Sequence, residues 1–374
     1  MSGASSKIRE MVFSQANEYF SALLKDIAQA SSSINLETYI FDFDSLGKQV
    51  AEHLAAASRR GVAVRLMVDG VGSTSWDGNM TRQLEQAGIQ VRIFRPLPWK
   101  TGQWKWVRPH LSWLAKLQHL WGSIKRRNHR KICLIDGRIA WIGSFNVSMN
   151  HLPKDQGGKG WRDTAVRLEG INVDELQYAF NSAWVDDSSL FPRKIFAAPH
   201  FRLNYIRRRK LRRDLLQRIA HCQSRIWITN AYFVPDSSLL RYLKKAGRSN
   251  VDVRLLLAGS SDVFFIPWAA ASFYKTLFIS GVHIFEYKER ILHAKVMIVD
   301  DWMTVGSTNL DYLSFFQNFE ADVVLRLPES KIVIEKQFLD DISQSREIFL
   351  YDLPKSAWWK KLLGFLLLYL KRWL

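Results

Sequence analysis

The sequence predicts an α/β protein built from two duplicated halves, each a mixed sheet flanked by helices, related by a pseudo-two-fold axis. Two observations carry this. The first is a repeated string. Asn128-His129-Arg130-Lys131-Ile132-Cys133-Leu134-Ile135-Asp136 leads to Gly143-Ser144-Phe145-Asn146, and Leu292-His293-Ala294-Lys295-Val296-Met297-Ile298-Val299-Asp300 leads to Gly306-Ser307-Thr308-Asn309. Each copy reads HxKxxxxD and then GSxN, with one residue fewer before the second GSxN. The second observation is that the flanks repeat too. Val62-Ala63-Val64-Arg65-Leu66 matches Val251-Asp252-Val253-Arg254-Leu255, and Ala87-Gly88-Ile89 matches Ser280-Gly281-Val282. Self-similarity on this scale marks a duplicated unit, and alternating helical and strand periodicities make that unit α/β.

In chain order, Phe20, Leu23, Leu24 and Ile27 recur at helical spacing, so residues 7–32 read as a helix closed by Ser31 to Ser33. A strand over 34–41 follows. Val50, Leu54 and Ala57 share one face of a helix over 46–60, which Gly61 ends. A strand over 62–68, a helix around 80–87 and a strand around 91–94 complete the run to the first motif. The second half repeats the order. A helix ends over 215–222, a strand spans 225–231, a helix 238–246 and a strand 251–257. A helix near 269–279 and a strand near 282–287 lead into the second motif. Each HxK then opens a run of four apolar residues, the pattern of a strand buried on both faces.

The motif residues suggest a chemistry. Residues i and i+2 of a strand share a face, so His129 goes with Lys131 and His293 with Lys295. Two imidazoles, two ammoniums, two serines (Ser144, Ser307) and two asparagines (Asn146, Asn309) suit a phosphate diester. Lys and Asn bind the non-bridging oxygens, one His attacks phosphorus, and the other protonates the leaving oxygen. In-line displacement needs groups on opposite sides of phosphorus, which is a reason for duplication and for one shared site. Asp136 and Asp300 complete the motif and belong with its catalytic set by pattern. Yet they lie beyond an apolar strand, better placed to fix a turn than to orient an imidazole. Asp163 and Glu320 are the better candidates for that task, by analogy with the acid of a catalytic triad. Glu37, Asp69 and Tyr232 sit near strands leading to the same edge and either line an acceptor pocket or make local hydrogen bonds.

These residues resemble the phospholipase D superfamily, whose signature is the paired HxKxxxxD, and the resemblance covers most of the chain. The flanks are similar to bacterial cardiolipin synthases of a compact type without N-terminal transmembrane helices. The stretches that carry this are Leu36-Glu37-Thr38-Tyr39-Ile40-Phe41, Val68-Asp69-Gly70-Val71-Gly72-Ser73, Asn230-Ala231-Tyr232-Phe233-Val234-Pro235-Asp236 and residues 306–319. Asp301, where many members carry Gly, departs from the pattern but belongs to the turn. The resemblance implies two phospholipase D-like halves. It implies a metal-independent enzyme without cofactor, an acid after GSxN that accepts a hydrogen bond from each imidazole, and His129 as the nucleophile with His293 as acid and base. It implies transfer of a phosphatidyl group from one phosphatidylglycerol to another through a phosphohistidine, releasing glycerol. A phospholipase D-type hydrolase, a nuclease and a non-catalytic lipid-binding protein are the rival readings.

Composition sets the partner. The chain has 374 residues, is 47% hydrophobic and carries a net charge of +18, with 15 Trp and 22 Phe. Such a basic, aromatic-rich protein meets a polyanion, either nucleic acid or an anionic membrane. The two cysteines, Cys133 and Cys222, suggest neither a disulfide framework nor a metal site. Met1 to Ser6 is polar, without the apolar core of a signal peptide, and no apolar run approaches the roughly 18 residues of a spanning helix. Residues 86–135 contain no acid but hold Trp99, Trp104, Trp106, Trp113 and Trp121. Within them Trp113, Leu114, Leu117, Leu120, Trp121 and Ile124 fall on one helical face beside Lys125-Arg126-Arg127, the pattern of an interfacial helix. Trp358-Trp359-Lys360-Lys361, the apolar run 362–370 and Lys371-Arg372-Trp373 repeat that pattern at the end of the chain. The tail favours lipid over nucleic acid. Between the halves, Arg207-Arg208-Arg209-Lys210 with Arg212 and Arg213 reads as a basic linker, either facing lipid headgroups or simply solvated. The expected division is 1–200 for the first half with an insertion near 99–127, 201–350 for the second, and 351–374 for a membrane-surface tail. The expected location is peripheral, on the cytoplasmic face of a bacterial inner membrane.

Overall fold

The computed structural model describes residues 8–76, 78–106, 112–115, 121, 126–186 and 200–352. The first half supplies strands β1 (Arg9–Phe13), β2 (Ser33–Thr38), β3 (Ala63–Asp69), β4 (Gln90–Phe94), β5 (Ile132–Ile135), β6 (Ile139–Gly143) and β7 (Ala165–Glu169). The second supplies β8 (Phe201–Leu203), β9 (Arg225–Asn230), β10 (Asp252–Ala258), β11 (His283–Tyr287), β12 (Val296–Val299), β13 (Trp302–Gly306), β14 (Ala321–Leu325) and β15 (Ser345–Glu347). The sheets run β1-β7-β6-β5-β2-β3-β4 and β15-β11-β10-β9-β12-β13-β14-β8. Strand for strand, the first order repeats in the second from β8 to β11, and β15 is added outside. Within each half three strands are parallel, and the motif strand turns back against them: β2, β3 and β4 with β5, then β9, β10 and β11 with β12. Each sheet is therefore mixed.

The helices lie outside. They are α1 (Ala16–Gln29), α2 (Ser45–Arg59), α3 (Gly78–Gln86), α4 (Asp174–Val185), α5 (Asn204–Ala220), α6 (Ser237–Arg248), α7 (Ile266–Phe278), α8 (Tyr312–Phe316) and α9 (Pro328–Ser343). Alternation along the motif strands explains their unbroken apolar runs. Ile132 and Leu134 pack with Val296 and Ile298 in a core between the two sheets. Cys133 and Ile135 face Ile27, Val50 and Leu54 of α1 and α2. Met297 and Val299 face Leu239 and Leu243 of α6. A strand covered on both faces has no polar side to show in its sequence. Among the described residues no helix is long and apolar enough to cross a membrane.

Two expectations are corrected. Residues 9–13 are not the start of a helix but strand β1, antiparallel to β7 from Arg9↔Glu169 to Phe13↔Ala165. Arg, Glu and Met are good helix formers, and the open edge of β7 outweighs that preference by offering partners to the backbone. The basic run is not a linker but part of α5. Arg212 pairs with Asp236 at 2.7 Å, and Arg208 donates to the Phe316 carbonyl at 2.7 Å, so this charge braces the second half as well as facing solvent. The tail from Trp358 and most of the interfacial segment 113–124 lie outside the described residues. Of that segment's neighbourhood, Trp99, Trp113, Leu114 and Trp121 are exposed by 63, 65, 54 and 57%.

Candidate active site

The motifs meet because each half braces the other just ahead of its histidine. Asn128 forms an isolated parallel bridge with Phe319, and Leu292 forms one with Arg162. The His129 N–H donates to the Phe319 carbonyl at 2.9 Å, and the His293 N–H to the Arg162 carbonyl at 2.8 Å. The next residue in each bracing segment is an acid. His129 Nδ1 lies 2.9 and 3.1 Å from the two Glu320 oxygens. His293 Nδ1 lies 2.7 Å from Asp163 Oδ1. Each imidazole is thus held by the acid of the opposite half, and its Nε2 is turned away from that acid. Both acids are buried.

The lysines fold back onto their own motifs. Lys131 Nζ donates to the His129 carbonyl at 2.7 Å, and Lys295 Nζ donates to the His293 carbonyl. Lys131 Nζ lies 5.3 Å from the centre of the Tyr39 ring, and Lys295 Nζ 5.9 Å from that of Tyr232. Tyr39 also meets His129 edge to face at 5.0 Å. This is a compact, buried cationic cluster, and its electrostatics are those of charge without enough counter-charge. Burial and the neighbouring Lys295 push Lys131 well below the ordinary ammonium range. Burial lowers Lys295 to about 8 against the pull of Asp163 and Asp262. Burial, Lys131 and Lys295 hold His129 well below the usual imidazole value, so it is neutral at pH 7. A phosphodiester anion between the ammoniums would relieve this repulsion.

The two acids differ. Burial raises Glu320 to about 7 although Lys131 and the Ser307 and Ser314 hydroxyls oppose it. Burial would raise Asp163 too, but the attraction and hydrogen bonds of His293 and His151 outweigh it and hold the carboxyl well below its usual range. Asp163 is therefore a firm anion at neutral pH and Glu320 is not.

The serines and asparagines fall into two groups. Ser144 Oγ donates to the Thr164 carbonyl at 3.2 Å and accepts the Thr164 N–H at 3.1 Å. Ser307 Oγ donates to Glu320 at 2.5 Å and accepts the Ala321 N–H at 3.0 Å. Both hydroxyls are saturated by the strand that carries the acid, so they support the site from behind. Asn146 Oδ1 accepts the Ile40 N–H at 3.2 Å. Buried Asn309 Oδ1 has no hydrogen-bond partner among the described residues.

The placement of Asp136 and Asp300 with the catalytic set is corrected. Each lies at the far end of the motif strand from its His, with a positive φ of 53° and 52°. The Asp136 carboxylate accepts the N–H groups of Ser31, Ser32 and Ser33 at 3.0, 2.7 and 3.0 Å. Asp300 accepts those of Gln223, Ser224 and Arg225 at 2.9, 2.8 and 3.1 Å. They tie the motif hairpins to the beginnings of β2 and β9. Glu37 and Asp69 also hold structure. Glu37 pairs with buried Arg130 at 3.0 Å and accepts from Asn128 Nδ2 at 3.0 Å. Asp69 pairs with Arg127 at 2.9 Å and accepts the Asn128 N–H at 2.9 Å. Together they clamp the approach to His129. The Tyr232 hydroxyl donates to the Asp262 carboxylate, 2.8 Å from each oxygen.

A third buried histidine escaped the sequence reading. His151 Nδ1 donates to Asp163 Oδ2 at 2.7 Å, and the His151 ring lies 5.9 Å from that of His293. The signal was present in the duplication: His151 stands five residues after Asn146, where Ser314 stands five after Asn309.

This chain is similar to known proteins along nearly its whole length. A family model described as "Cardiolipin synthase, PLD-like domain" matches residues 23–184 and 215–342. Cardiolipin synthase B of Shigella flexneri is 33% identical over 358 residues, covering 91% of this chain and 82% of that protein. A cardiolipin synthase of Clostridium perfringens (strain SM101) is 29% identical over 365 residues, covering 92% of this chain and 73% of that one. Among solved structures, phosphatidylserine synthase of Haemophilus influenzae Rd KW20 superposes with a TM-score of 0.66 at 12% identity, covering 100% of this chain and 94% of that one. Polyphosphate kinase from Porphyromonas gingivalis superposes with a TM-score of 0.59 at 11% identity, covering 89% of this chain and 50% of that one. These two structural likenesses speak for the fold alone.

Proposed function

The chain belongs to the cardiolipin synthase family of phospholipase D-like phosphatidyltransferases, and from that premise we propose that it joins two phosphatidylglycerol molecules into cardiolipin at a membrane surface. The observation that supports this most is the crossed pair of imidazoles, each anchored through Nδ1 to the other half's acid with the two lysines beside them. His129, neutral, attacks phosphorus through Nε2. The bond to the glycerol oxygen breaks, and His293 gives that oxygen its proton. The phosphatidyl group is then a phosphoramidate on His129. A hydroxyl of the second phosphatidylglycerol yields its proton to His293, its oxygen forms the new bond to phosphorus, and the nitrogen–phosphorus bond breaks. Protons balance over the cycle and no metal takes part. Lys131 and Lys295 oppose the charge on the non-bridging oxygens, with Asn146 and Asn309 beside them. Burial and Lys295 lower His293 to about 4, and ionised Asp163 works against them by favouring the imidazolium, which is the state that can donate.

A lipid acceptor prevails over water when the site opens onto lipid. The exposed Trp99, Trp113 and Trp121, in a stretch without acids, suit the headgroup plane of an anionic bilayer, on the cytoplasmic face by this reading.

The test is a product profile. Purified full-length protein with phosphatidylglycerol vesicles should give cardiolipin and glycerol by mass spectrometry. Phosphatidic acid with glycerol would make it a hydrolase, nicked plasmid in a parallel assay a nuclease, and no product a lipid-binding protein. His129→Ala and His293→Ala should each abolish turnover. Full activity in either would overturn the shared site.

A further inference from the structure

The halves hold their acids by different means. In the second, Glu320 receives the hydroxyls of Ser307 and Ser314 at 2.5 and 2.7 Å. In the first, Ser144 is turned onto the Thr164 backbone, and the second donor to Asp163 is the His151 imidazole at 2.7 Å. His151 and Ser314 are duplicates of one position, and each also takes the amide N–H of its own asparagine. The Asn146 N–H reaches His151 Nε2 at 3.2 Å, and the Asn309 N–H reaches Ser314 Oγ at 3.3 Å. Asp is one methylene shorter than Glu, and an imidazole reaches further than a hydroxymethyl. A short acid with a long donor spans the same gap as a long acid with a short donor.

The contact at Nε2 decides the state of His151. A nitrogen that accepts an N–H carries its lone pair, so the proton sits on Nδ1 and the ring is neutral. The ring is buried between Phe145 and Trp161, whose centres are 5.5 and 5.4 Å away. Asp163 thus has one oxygen filled by the His151 Nδ1–H and the other by His293.

We infer that His151 is a positioning residue: locked as the Nδ1–H tautomer, it keeps Asp163 ionised and aimed at His293, and so sets the proton affinity of His293. The inference rests on the reading of His293 as the group that exchanges protons with the leaving and attacking oxygens. Burial, then Lys295, lower His293 to about 4, His151 adding to the effect, and Asp163 is the group that opposes them by favouring the imidazolium. Asp262 interacts with His293 from the loop before α7. Removing the His151 donor leaves Asp163 half satisfied. Its proton affinity rises, its hold on the imidazolium weakens, and the loss of protonated His293 begins at lower pH.

The test uses the full chain on phosphatidylglycerol vesicles, with kcat/KM measured across pH and circular dichroism confirming folding. His151→Ser should lose roughly tenfold to a hundredfold in turnover, the scale set by one missing buried hydrogen bond, and its alkaline limb should move to lower pH. His151→Asn, which keeps an N–H donor near the Nδ1 position, should preserve the limb. His151→Ser with Asp163→Glu rebuilds the arrangement of the second half and should recover the limb and most of the turnover. A folded His151→Ser enzyme whose limb stays in place, or a double variant no better than the single, would overturn the proposal. His293→Ala separates the two levels. Full turnover there removes the premise, whereas a dead His293→Ala beside an unmoved His151→Ser limb condemns the positioning role alone.

Discussion

The Asp136→Asn substitution separates the two tasks that the HxKxxxxD pattern runs together. Asp136 Oδ1 accepts the Ser32 and Ser33 amides at 2.7 and 3.0 Å, and Oδ2 accepts the Ser31 amide and hydroxyl at 3.0 and 2.9 Å. Asparagine keeps an oxygen for the first pair and turns an NH2 group, itself a donor, towards the second. Hydrogen bonds to a charged group contribute about 1.5–3 kcal/mol each when buried, and these are partly exposed, so the loss should be about 1–3 kcal/mol. The chemistry should survive, because roughly 15 Å of strand separates Asp136 from Lys131. Urea unfolding followed by circular dichroism should show a lowered midpoint, while cardiolipin formation per folded molecule stays near wild type. The pH dependence has a definite sign. Burial acts to raise the Asp136 pKa, but the N–H groups of Ser33, Ser32 and Ser31 outweigh it and hold the carboxyl below its ordinary range. Its stabilisation is complete above the unfolded value of about 4 and fades as pH falls below it, so the gap between wild type and variant should close in acid. A hundredfold fall in turnover with an unchanged midpoint would put Asp136 in the chemistry and refute this reasoning.

Three further outcomes follow from the same geometry. Lys295, lowered to about 8 by burial, binds phosphate best when charged, so KM for phosphatidylglycerol should rise as pH passes through about 8; a flat KM from pH 7 to 9 would remove Lys295 from phosphate binding. Glu37→Gln strips the counter-charge from buried Arg130 and should cost roughly 3–5 kcal/mol by urea unfolding, with activity lost only as folding is lost. Removing residues 353–374 should weaken sedimentation with phosphatidylglycerol vesicles while sparing turnover on a short-chain substrate in solution; undiminished sedimentation would assign membrane contact to the rest of the chain.

Much of the architecture was legible because it is periodic. Ile132 to Ile135 and Val296 to Val299 are apolar at every position, and each is covered by the opposing sheet on one face and by helices on the other. The i, i+2 spacing shares a face in a strand, but His129 and Lys131 precede β5 and His293 and Lys295 precede β12; each ammonium instead folds back onto its own histidine's carbonyl. Strand β1 was not legible. Three of its five residues favour a helix in isolation, and the edge of β7, more than 150 residues away in the register Arg9↔Glu169, makes them extended. The bracing role of the basic run at 207–213 is hidden in the sequence for a related reason, since Asp236 and the Phe316 carbonyl, which bind Arg212 and Arg208, are remote along the chain.

What the amino-acid order determined by itself was the doubled α/β unit, the faces of its strands and the residue types available to a phosphodiester. Those are local properties, written in spacing. Only the tertiary structure decided which acid serves which imidazole, which backbone amides the motif aspartates hold, and that a third histidine stands behind Asp163. The pairs His129–Glu320 and His293–Asp163 span 191 and 130 residues and cross between the halves. A hydrogen bond depends on where two atoms meet in space, and that meeting exists only once the two sheets have packed face to face.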